Sequence, residues 1–551
     1  MKTDKNPIFI GVAWPYVNGD LHVGHLAGYL LPADIFSRFS RLRGHDVLMV
    51  SGSDCYGTPI TLEADKRHIS PADVVAEHHA HHVSVFNKAR ITYDLYTKTD
   101  TDIHTQVTQD VFVGLAKNGY IFTDTTTQYY SETEKKFLPD RYVEGTCPIC
   151  HTPGARSDQC DACGSPLNQG ELIDPISKIS GEPVILKDSE HYFIDWPKLQ
   201  PFLQTYFNET SSAHHWKDWV RNETAGWLEK GLQPRAITRD LDWGIPIPID
   251  RLPKELQIAN HEQKRIYVWF DAVVGYLSAA IEWAEHSDRW EHFWKNPDAT
   301  HYYFMGKDNL IFHTLFWPGQ LHGYDPDLHL PDVPSINQFL NLGDQKFSKS
   351  KGVIVDSQEM LDRFGDDAVR FYFAHIMPEF ADSSFTWEDF AAKTNNVLIG
   401  TIGNFINRTL TLARDLDFAS LPGAAINTTL KQCIDAADAA RDHLEQTSFR
   451  AYVDDCMQLA DSGNKHLATT TPWKLDRTTP EFTDAILPAM TAVVTLALIL
   501  QPLVPSLAEK LQQQLGVTLT DWPDDITDSI IDAVRSVHIT EISPLVTKVE
   551  L

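Results

Sequence analysis

The stretch that decides the fold is "IFIGVAWPYVNGDLHVGHLAG", residues 8–28. A short apolar run leads into a turn at Asn18-Gly19-Asp20, and two histidines, His22 and His25, then flank Val23-Gly24. A run of that length bounded by turn residues reads as a buried strand, and the residues beyond the turn read as a helix opening near Leu21. On a helix, residues at i and i+3 share a face, so both imidazoles point the same way close to the helix N-terminus. The exposed amides and the dipole there favour a phosphate, two imidazoles add donors, and Gly24 lets a nucleotide approach the backbone.

The pattern continues. "DVLMVSG" reads as a second strand, while "GYLLPADIFSRFSRLRG" and "PADVVAEHHAHHVSVFNKARI" carry apolar residues at helical spacing. Strands alternating with helices mean a parallel α/β sheet. From residue 119 to 261 the texture turns polar and rich in turns, and strand-like runs return at "IYVWF" and "HYYFMG", so an insertion splits one α/β domain. Beyond about residue 390 long helical periodicities take over, as in "VLIGTIGNFINRTLTLARD" and "YVDDCMQLADSGNKHLA".

At 551 residues the chain is too long for a single core. Its 47 basic and 75 acidic residues leave a net charge of −28, which excludes a surface coated for nucleic acid and confines any polyanion to a local basic patch. The N-terminus has neither an apolar stretch nor a small-residue cleavage site, which predicts a cytoplasmic protein. The most apolar segment, 485–500, is too short to span a bilayer and holds Pro488, so it is expected to be a buried bundle helix rather than a membrane anchor.

Of seven cysteines, Cys55, Cys433 and Cys456 are scattered and the rest fall in "CPICHTPGARSDQCDACG". The pairs Cys147/Cys150 and Cys160/Cys163 can set four thiolates tetrahedrally around one structural zinc ion, a closed site with no open coordination position. A disulfide framework fits an odd total poorly.

A second basic motif, "DQKFSKSKG" at 344–352, packs Lys346, Lys349 and Lys351 among Ser348, Ser350 and Gly352, and such a loop supplies charge during phosphoryl chemistry. No Gly-x-x-x-x-Gly-Lys-Ser/Thr stretch is present, which argues against a P-loop ATPase.

Together the His-Val-Gly-His and Lys-Phe-Ser-Lys-Ser motifs resemble the two signatures of class I aminoacyl-tRNA synthetases, with Val23 and Phe347 in place of Ile and Met. The zinc motif narrows the likeness, and the chain as a whole resembles the methionyl-tRNA synthetases. The resemblance rests on "VAWPYVNGDLHVGH", "GSDCYGTPI", "KFLPDRYVEGTCPIC", "ITRDLDWGIPIP", "YVWFDAVVGY", "GKDNLIFHTLFWP" and "KFSKS". Where many members have Ala-Pro, this chain has Ala272-Val273, so one pocket wall is expected to differ.

The resemblance implies a Rossmann-like catalytic domain in two halves, 1–118 and 262–336, split by a connective insertion with the zinc knuckle at 119–261. A lysine-loop region at 337–390 and a helical anticodon-binding domain at 391–551 complete the chain. It implies His22, His25, Lys346 and Lys349 as catalytic groups on the phosphates of Mg-ATP, with Gly24, Lys307, Asp308 and Ser348 also binding the nucleotide. Asp54 faces the methionine ammonium, and Ala13, Trp14, Tyr16, Trp269, Ala272, Tyr276 and His313 line the side-chain pocket. Arg239 lies near the carboxylate, the phosphates or the ribose. Asn404, Arg408, Pro472 and Trp473 read the anticodon of the methionine tRNAs, initiator included. In "EHHAHH" His78 and His82 are spaced i, i+4 and could chelate a metal, yet the resemblance implies a surface helix there, and the working unit is expected to be a monomer. A different class I synthetase and an idle RNA-binding paralogue are the rival readings.

Overall fold

The computed structural model describes residues 5–138, 142–157, 160, 162–163, 167, 170–343, 345–346 and 354–551. At its centre lie five parallel strands: β1 (Ile8–Val12), β2 (Val47–Ser53), β3 (Leu95–Lys98), β4 (Thr300–Gly306) and β5 (Val333–Asn337). Their spatial order is β5-β4-β1-β2-β3. β1 and β2 are buried along their whole length, as strands covered by helices on both faces must be. The order reverses beside β1, and the crevice at the carboxyl ends of β1 and β4 is the place where such sheets bind ligands.

The helix after β1 starts at Val23, with His22 as its cap, and widens into a π-helical segment at Leu26–Leu30 before continuing as Leu31–Leu42. A π-helical turn inside a helix frequently marks a functional site. The histidine-rich helix is Pro71–Lys88, opened by a capping box in which Ser70 Oγ accepts the Asp73 amide at 3.1 Å. It is not a simple surface helix. His78 and His82 are buried because that face packs on the turn at 18–20, where His78 Nδ1 meets Asp20 Oδ1 at 2.9 Å and His82 Nε2 meets the Gly19 carbonyl at 3.3 Å. A second expectation also changes. "IYVWF" is mainly the start of helix Val268–Trp283, and only Ile266 belongs to a strand. A short apolar run does not by itself separate a buried strand from a buried helix.

Between β3 and β4 the chain builds an antiparallel ribbon, Ile121–Ser131 against Ile185–Ile194, with the cysteine cluster beyond its far end. Val143–Thr146, Pro153–Arg156 and Ile173–Ser177 form a small sheet there, over a separate core of Tyr129, Leu138, Tyr142, Val143, Leu172 and Val184. Tyr142 Oη donates to Asp65 Oδ2 at 2.9 Å and so ties this unit to helix Thr58–Arg67. After β5, Leu340–Leu342 pairs with Gln345–Lys346 and with Ser383–Phe385.

Most of the rest is helical, running through Asn404–Ala413, Lys431–Glu445, Phe449–Thr470, Pro480–Ile499, Pro505–Leu515 and Thr527–Ser536, and residues 537–551 close the chain without a helix. Pro480–Ile499 is long and apolar enough to cross a membrane, but 83% of its apolar window is buried inside the bundle, as expected of a core helix.

Candidate active site

The carboxyl ends of β1, β2 and β4 open into a cavity of about 430 Å³. Its wall brings together Ala13, Trp14, Tyr16, His22, Gly24, His25, Asp54, Trp269, Ala272, Tyr276, Asp308 and His313, residues that the chain spreads over three hundred positions.

Each histidine of the first motif has a fixed job at the helix start. His22 Nδ1 accepts the Gly24 amide and His25 Nδ1 accepts the His22 amide, both at 3.1 Å, and the rings lie 3.9 Å apart. With Nδ1 occupied as an acceptor, the proton of each neutral ring sits on Nε2, so both rings present a donor. The same two contacts satisfy amides that a helix start otherwise leaves unpaired.

Aromatic rings build the side-chain pocket. Trp14 lies between Gly52 and Gly275, where a Cβ would come within 2.0 Å of Cζ3 on one side and 2.7 Å of Cε2 on the other, so neither glycine tolerates a side chain. Trp269 stacks on Phe312 at 4.3 Å and meets the edge of Tyr16 at 6.5 Å. Tyr276 Oη and His313 Nε2 are 2.7 Å apart, and His313 Nδ1 lies 2.9 Å from the Asn309 carbonyl. Burial lowers the His313 pKa to about 4, so the ring is neutral; Nδ1–H donates to the carbonyl and the tyrosine hydroxyl donates to Nε2. A soft, aromatic-lined pocket with a fixed polar end suits a polarizable thioether. Val273 is also on the wall.

Asp54 supplies the charge. It is buried, its Oδ1 accepts a long 3.4 Å bond from the Tyr56 amide, and burial raises its pKa to about 8. Asp271 is fully buried close to it on helix Val268–Trp283, and neither of its carboxylate oxygens has a hydrogen-bond partner among the described residues. Burial and then the Asp54 charge push its pKa well up. Two buried carboxyls with no paired cation among the described residues are costly unless a ligand brings the positive charge. Asp271 was not among the residues expected from the sequence, because an acid in the first turn of a helix reads as ordinary dipole complementation.

Two expected residues lie elsewhere. Lys307 is not on the wall itself: its ammonium pairs with Asp382 at 2.7 Å over the ring of Phe339, which is. Arg239 lies over Tyr267 at 4.1 Å and lines a neighbouring cavity that shares Trp269 and Phe312 with this one. Lys346 pairs its backbone with Asn341, which is on the cavity wall, while Ser348 and Lys349 lie outside the described residues. Asn309, Phe312, Gln338 and Asn341 line the cavity without having been singled out in the sequence.

The four cysteines converge. All four sulfurs lie within 4.8 Å of one another, with Cys147–Cys163 at 3.9 Å and Cys150–Cys160 at 3.6 Å. Zn–S bonds of about 2.3 Å in a tetrahedron put the sulfurs roughly 3.8 Å apart, whereas a disulfide requires about 2 Å. The Ile149 amide donates to Cys147 Sγ at 3.4 Å, which orients that thiolate. The cluster fits a metal ion.

In the helical region Arg408 lies over the Trp473 ring at 5.3 Å, and Trp473 is 49% exposed. Asn404 is exposed one turn before Arg408 on the same helix, while Pro472 is buried at the start of the short turn that carries Trp473.

Two family models cover nearly all of the chain: tRNA synthetases class I (M) over residues 8–410, and the anticodon binding domain of methionyl tRNA ligase over residues 421–550. The methionine–tRNA ligase of Roseiflexus sp. (strain RS-1) is 44% identical over 531 residues, covering 94% of this chain and 88% of that protein. The methionine–tRNA ligase of Corynebacterium kroppenstedtii is 38% identical over 552 residues, covering 95% and 88%. Among solved structures, Mycobacterium tuberculosis methionyl-tRNA synthetase in complex with methionyl-adenylate matches with a TM-score of 0.75 at 22% identity, over 98% of this chain and 99% of that one. That last likeness is one of fold.

Proposed function

The chain belongs to the class I methionine–tRNA ligases, and from that premise we propose how its residues carry the reaction. The enzyme ligates methionine to tRNA in two steps. A methionine carboxylate oxygen attacks the α-phosphorus of ATP, pyrophosphate leaves with the electrons of the broken P–O bond, and methionyl-adenylate remains. The terminal adenosine hydroxyl of the tRNA then attacks the acyl carbon, its proton is lost, and AMP departs. The carboxylate is already a nucleophile, so the protein supplies position and charge stabilisation rather than a general base.

The observation that carries this reading is Asp54, a buried acid without a counter-cation among the described residues, at the back of an aromatic cavity. The methionine ammonium supplies that cation, with Asp271 behind it, while Trp14, Tyr16, Trp269, Ala272, Tyr276 and His313 enclose the thioether. His22 and His25 donate through Nε2 to the phosphates of Mg-ATP, Gly24 and Asp308 border the nucleotide, and Lys346, Ser348 and Lys349 join from the segment rooted at Asn341.

Cys147, Cys150, Cys160 and Cys163 hold a structural zinc that takes no part in the chemistry, and it organises the small core beyond the ribbon. The division of labour follows the segments 1–118 and 262–336 for catalysis, 119–261 for the knuckle, 337–390 for the lysine segment and 391–551 for tRNA. In the last of these, Arg408 and the half-exposed Trp473 offer stacking planes and Asn404 a hydrogen-bonding edge to unpaired anticodon bases, the usual mode of sequence-specific RNA reading. Initiator and elongator methionine tRNAs are the substrates, the cytoplasm the compartment and a monomer the working unit.

ATP–pyrophosphate exchange tests the reading. Exchange dependent on methionine, and absent with cysteine, isoleucine or valine, is the expected result. Exchange driven by another amino acid reassigns the enzyme within class I, and none with any amino acid returns the chain to an RNA-binding role.

A further inference from the structure

The histidines of Pro71–Lys88 are not used by the ligation reaction, yet they converge with two acids on the edge of its machinery. Ligand atoms of Asp20, His81 and Asp356 all lie within 4.8 Å of one another. The His81 Nδ1 atom sits 3.4 Å from Asp20 Oδ1, is shielded from water although the ring is 20% exposed, and makes no hydrogen bond among the described residues, whereas neighbouring His78 Nδ1 lies 2.9 Å from the same Asp20 oxygen. An imidazole nitrogen that is withdrawn from water and faces carboxylates without a hydrogen bond is oriented as a ligand. Metal–ligand bonds of about 2.1 Å place adjacent donors roughly 3 to 3.5 Å apart, a spacing that the His81–Asp20 separation already meets. Asp20, the most exposed of the three, has room to bring its carboxylate onto an ion shared with Asp356.

The three residues come from three segments that meet here. Asp20 precedes the first histidine motif. Asp356 caps helix Ser357–Phe364 by accepting the Glu359 amide at 2.8 Å, and it follows closely on the lysine segment. Backbone bonds already join the two: the Val23 amide donates to the Val355 carbonyl at 3.1 Å and the Ser357 amide to the Leu21 carbonyl at 3.0 Å. The third segment, the histidine helix, also contacts helix Ser357–Phe364 through Lys88 and Asp362.

We propose that Asp20, His81 and Asp356 form a second metal site, for a divalent first-row transition ion, that pins the C-terminal root of the lysine segment to the first histidine motif. One imidazole and two carboxylates favour such an ion over Mg²⁺, whose preference is for oxygen alone. Three protein ligands leave positions open to water, and His78 holds Asp20 from outside the ligand set. The site stands on its own geometry. Its bearing on catalysis rests on the roles proposed for His22, His25 and the lysines.

The test uses full-length protein carrying zinc in its cysteines and free of nucleotide, dialysed to equilibrium against Co²⁺ with zinc measured in the same samples. The expected result is one further equivalent of cobalt at unchanged zinc, with affinity reduced at least about tenfold in His81→Gln and in Asp356→Asn. His286→Gln, on an exposed turn outside the cluster, retains full binding. Retained zinc and an unchanged methionine-induced rise in melting temperature show that each variant is folded, and Asp20→Asn provides an independent ligand deletion. No cobalt beyond that displacing zinc, or a second equivalent that survives all three deletions, overturns the site. Cobalt is also expected to slow hydrogen exchange at the Val23 and Ser357 amides. Bound cobalt with unchanged exchange at both overturns the pinning role.

Discussion

Replacing Asp54 by Asn separates two demands placed on one side chain. Without ligand the carboxyl is buried with no cation beside it among the described residues, and its pKa stands at about 8 against an ordinary value of 3.8. The folded state therefore keeps a proton that the unfolded chain loses. The stability this group contributes is fully present below pH 3.8 and is lost progressively as pH rises to about 8. At pH 7 the loss spans about three pH units at roughly 1.4 kcal/mol each, on the order of 4 kcal/mol. Asparagine cannot ionise, so Asp54→Asn raises the melting temperature of the ligand-free enzyme at pH 8 and changes it little at pH 4. Methionine binding responds in the opposite sense. Deleting one partner of a buried ion pair costs about 3 to 5 kcal/mol, a fall in affinity of roughly two to three and a half orders of magnitude.

Calorimetric titration with methionine and melting of the ligand-free protein, both across pH 5 to 8, read the two effects on one sample. In the wild type, methionine affinity rises with pH over this range, because the ammonium needs the ionised form of a group that ionises near 8. A variant no more stable than wild type at pH 8 would refute the claim that Asp54 is uncompensated. Near-normal methionine affinity would move the ammonium to another acid, Asp271 first, and Asp271→Asn then shows the defect instead.

Trp473→Ala is expected to lower tRNA charging by about 1 to 3 kcal/mol in kcat/KM while leaving pyrophosphate exchange intact. Its melting temperature should hardly move, since the ring is half exposed, and a large drop would mark it as packing instead. Lys349→Ala should slow exchange at saturating methionine and ATP by roughly a hundredfold, or about 3 kcal/mol, with methionine affinity unchanged in titration; an unaltered rate removes that lysine from the mechanism. Metal analysis of protein purified without chelator should find zinc held by the cysteines, and Cys160→Ser should lose it and expose the ribbon-end unit to protease. Absence of tightly held zinc in the wild type ends that assignment.

The parallel sheet was legible because strand and helix periodicities alternate cleanly around residues 8–28, and the cysteine cluster because paired spacing leaves little choice of geometry. Much of the cavity wall was legible for a different reason: its residues sit in short blocks that recur across the family. Three features were hidden. Asp271 carries no local mark, since its significance comes from lacking a partner, which is a property of the fold. The face of Pro71–Lys88 that packs on the turn at 18–20 was hidden because histidine is equally at home in water and in a hydrogen-bonded interior. The helical start of "IYVWF" was hidden because aromatic and β-branched residues favour strands on propensity alone, and here burial of the helix against the sheet prevails.

The distribution of charge around the cavity separates binding from chemistry. Among the described residues on its wall the acids are Asp54 and Asp308, the basic groups are imidazoles, and no lysine or arginine is present. Lys307 pairs with Asp382 and Arg239 faces the neighbouring cavity. Such a wall suits an ammonium and a thioether, and it offers the adenosine neutral edges through Gln338 and Asn341. It does not neutralise a triphosphate, which the net charge of −28 repels at long range. On the proposed mechanism, the cationic charge for the phosphates therefore arrives with Mg²⁺ and with the lysines of 344–352, the segment whose strand partner Asn341 lies on the wall. Those lysines contribute where negative charge develops on the phosphates rather than where methionine is held. That is why changes at Asp54 are expected in methionine affinity, and changes at Lys349 in rate.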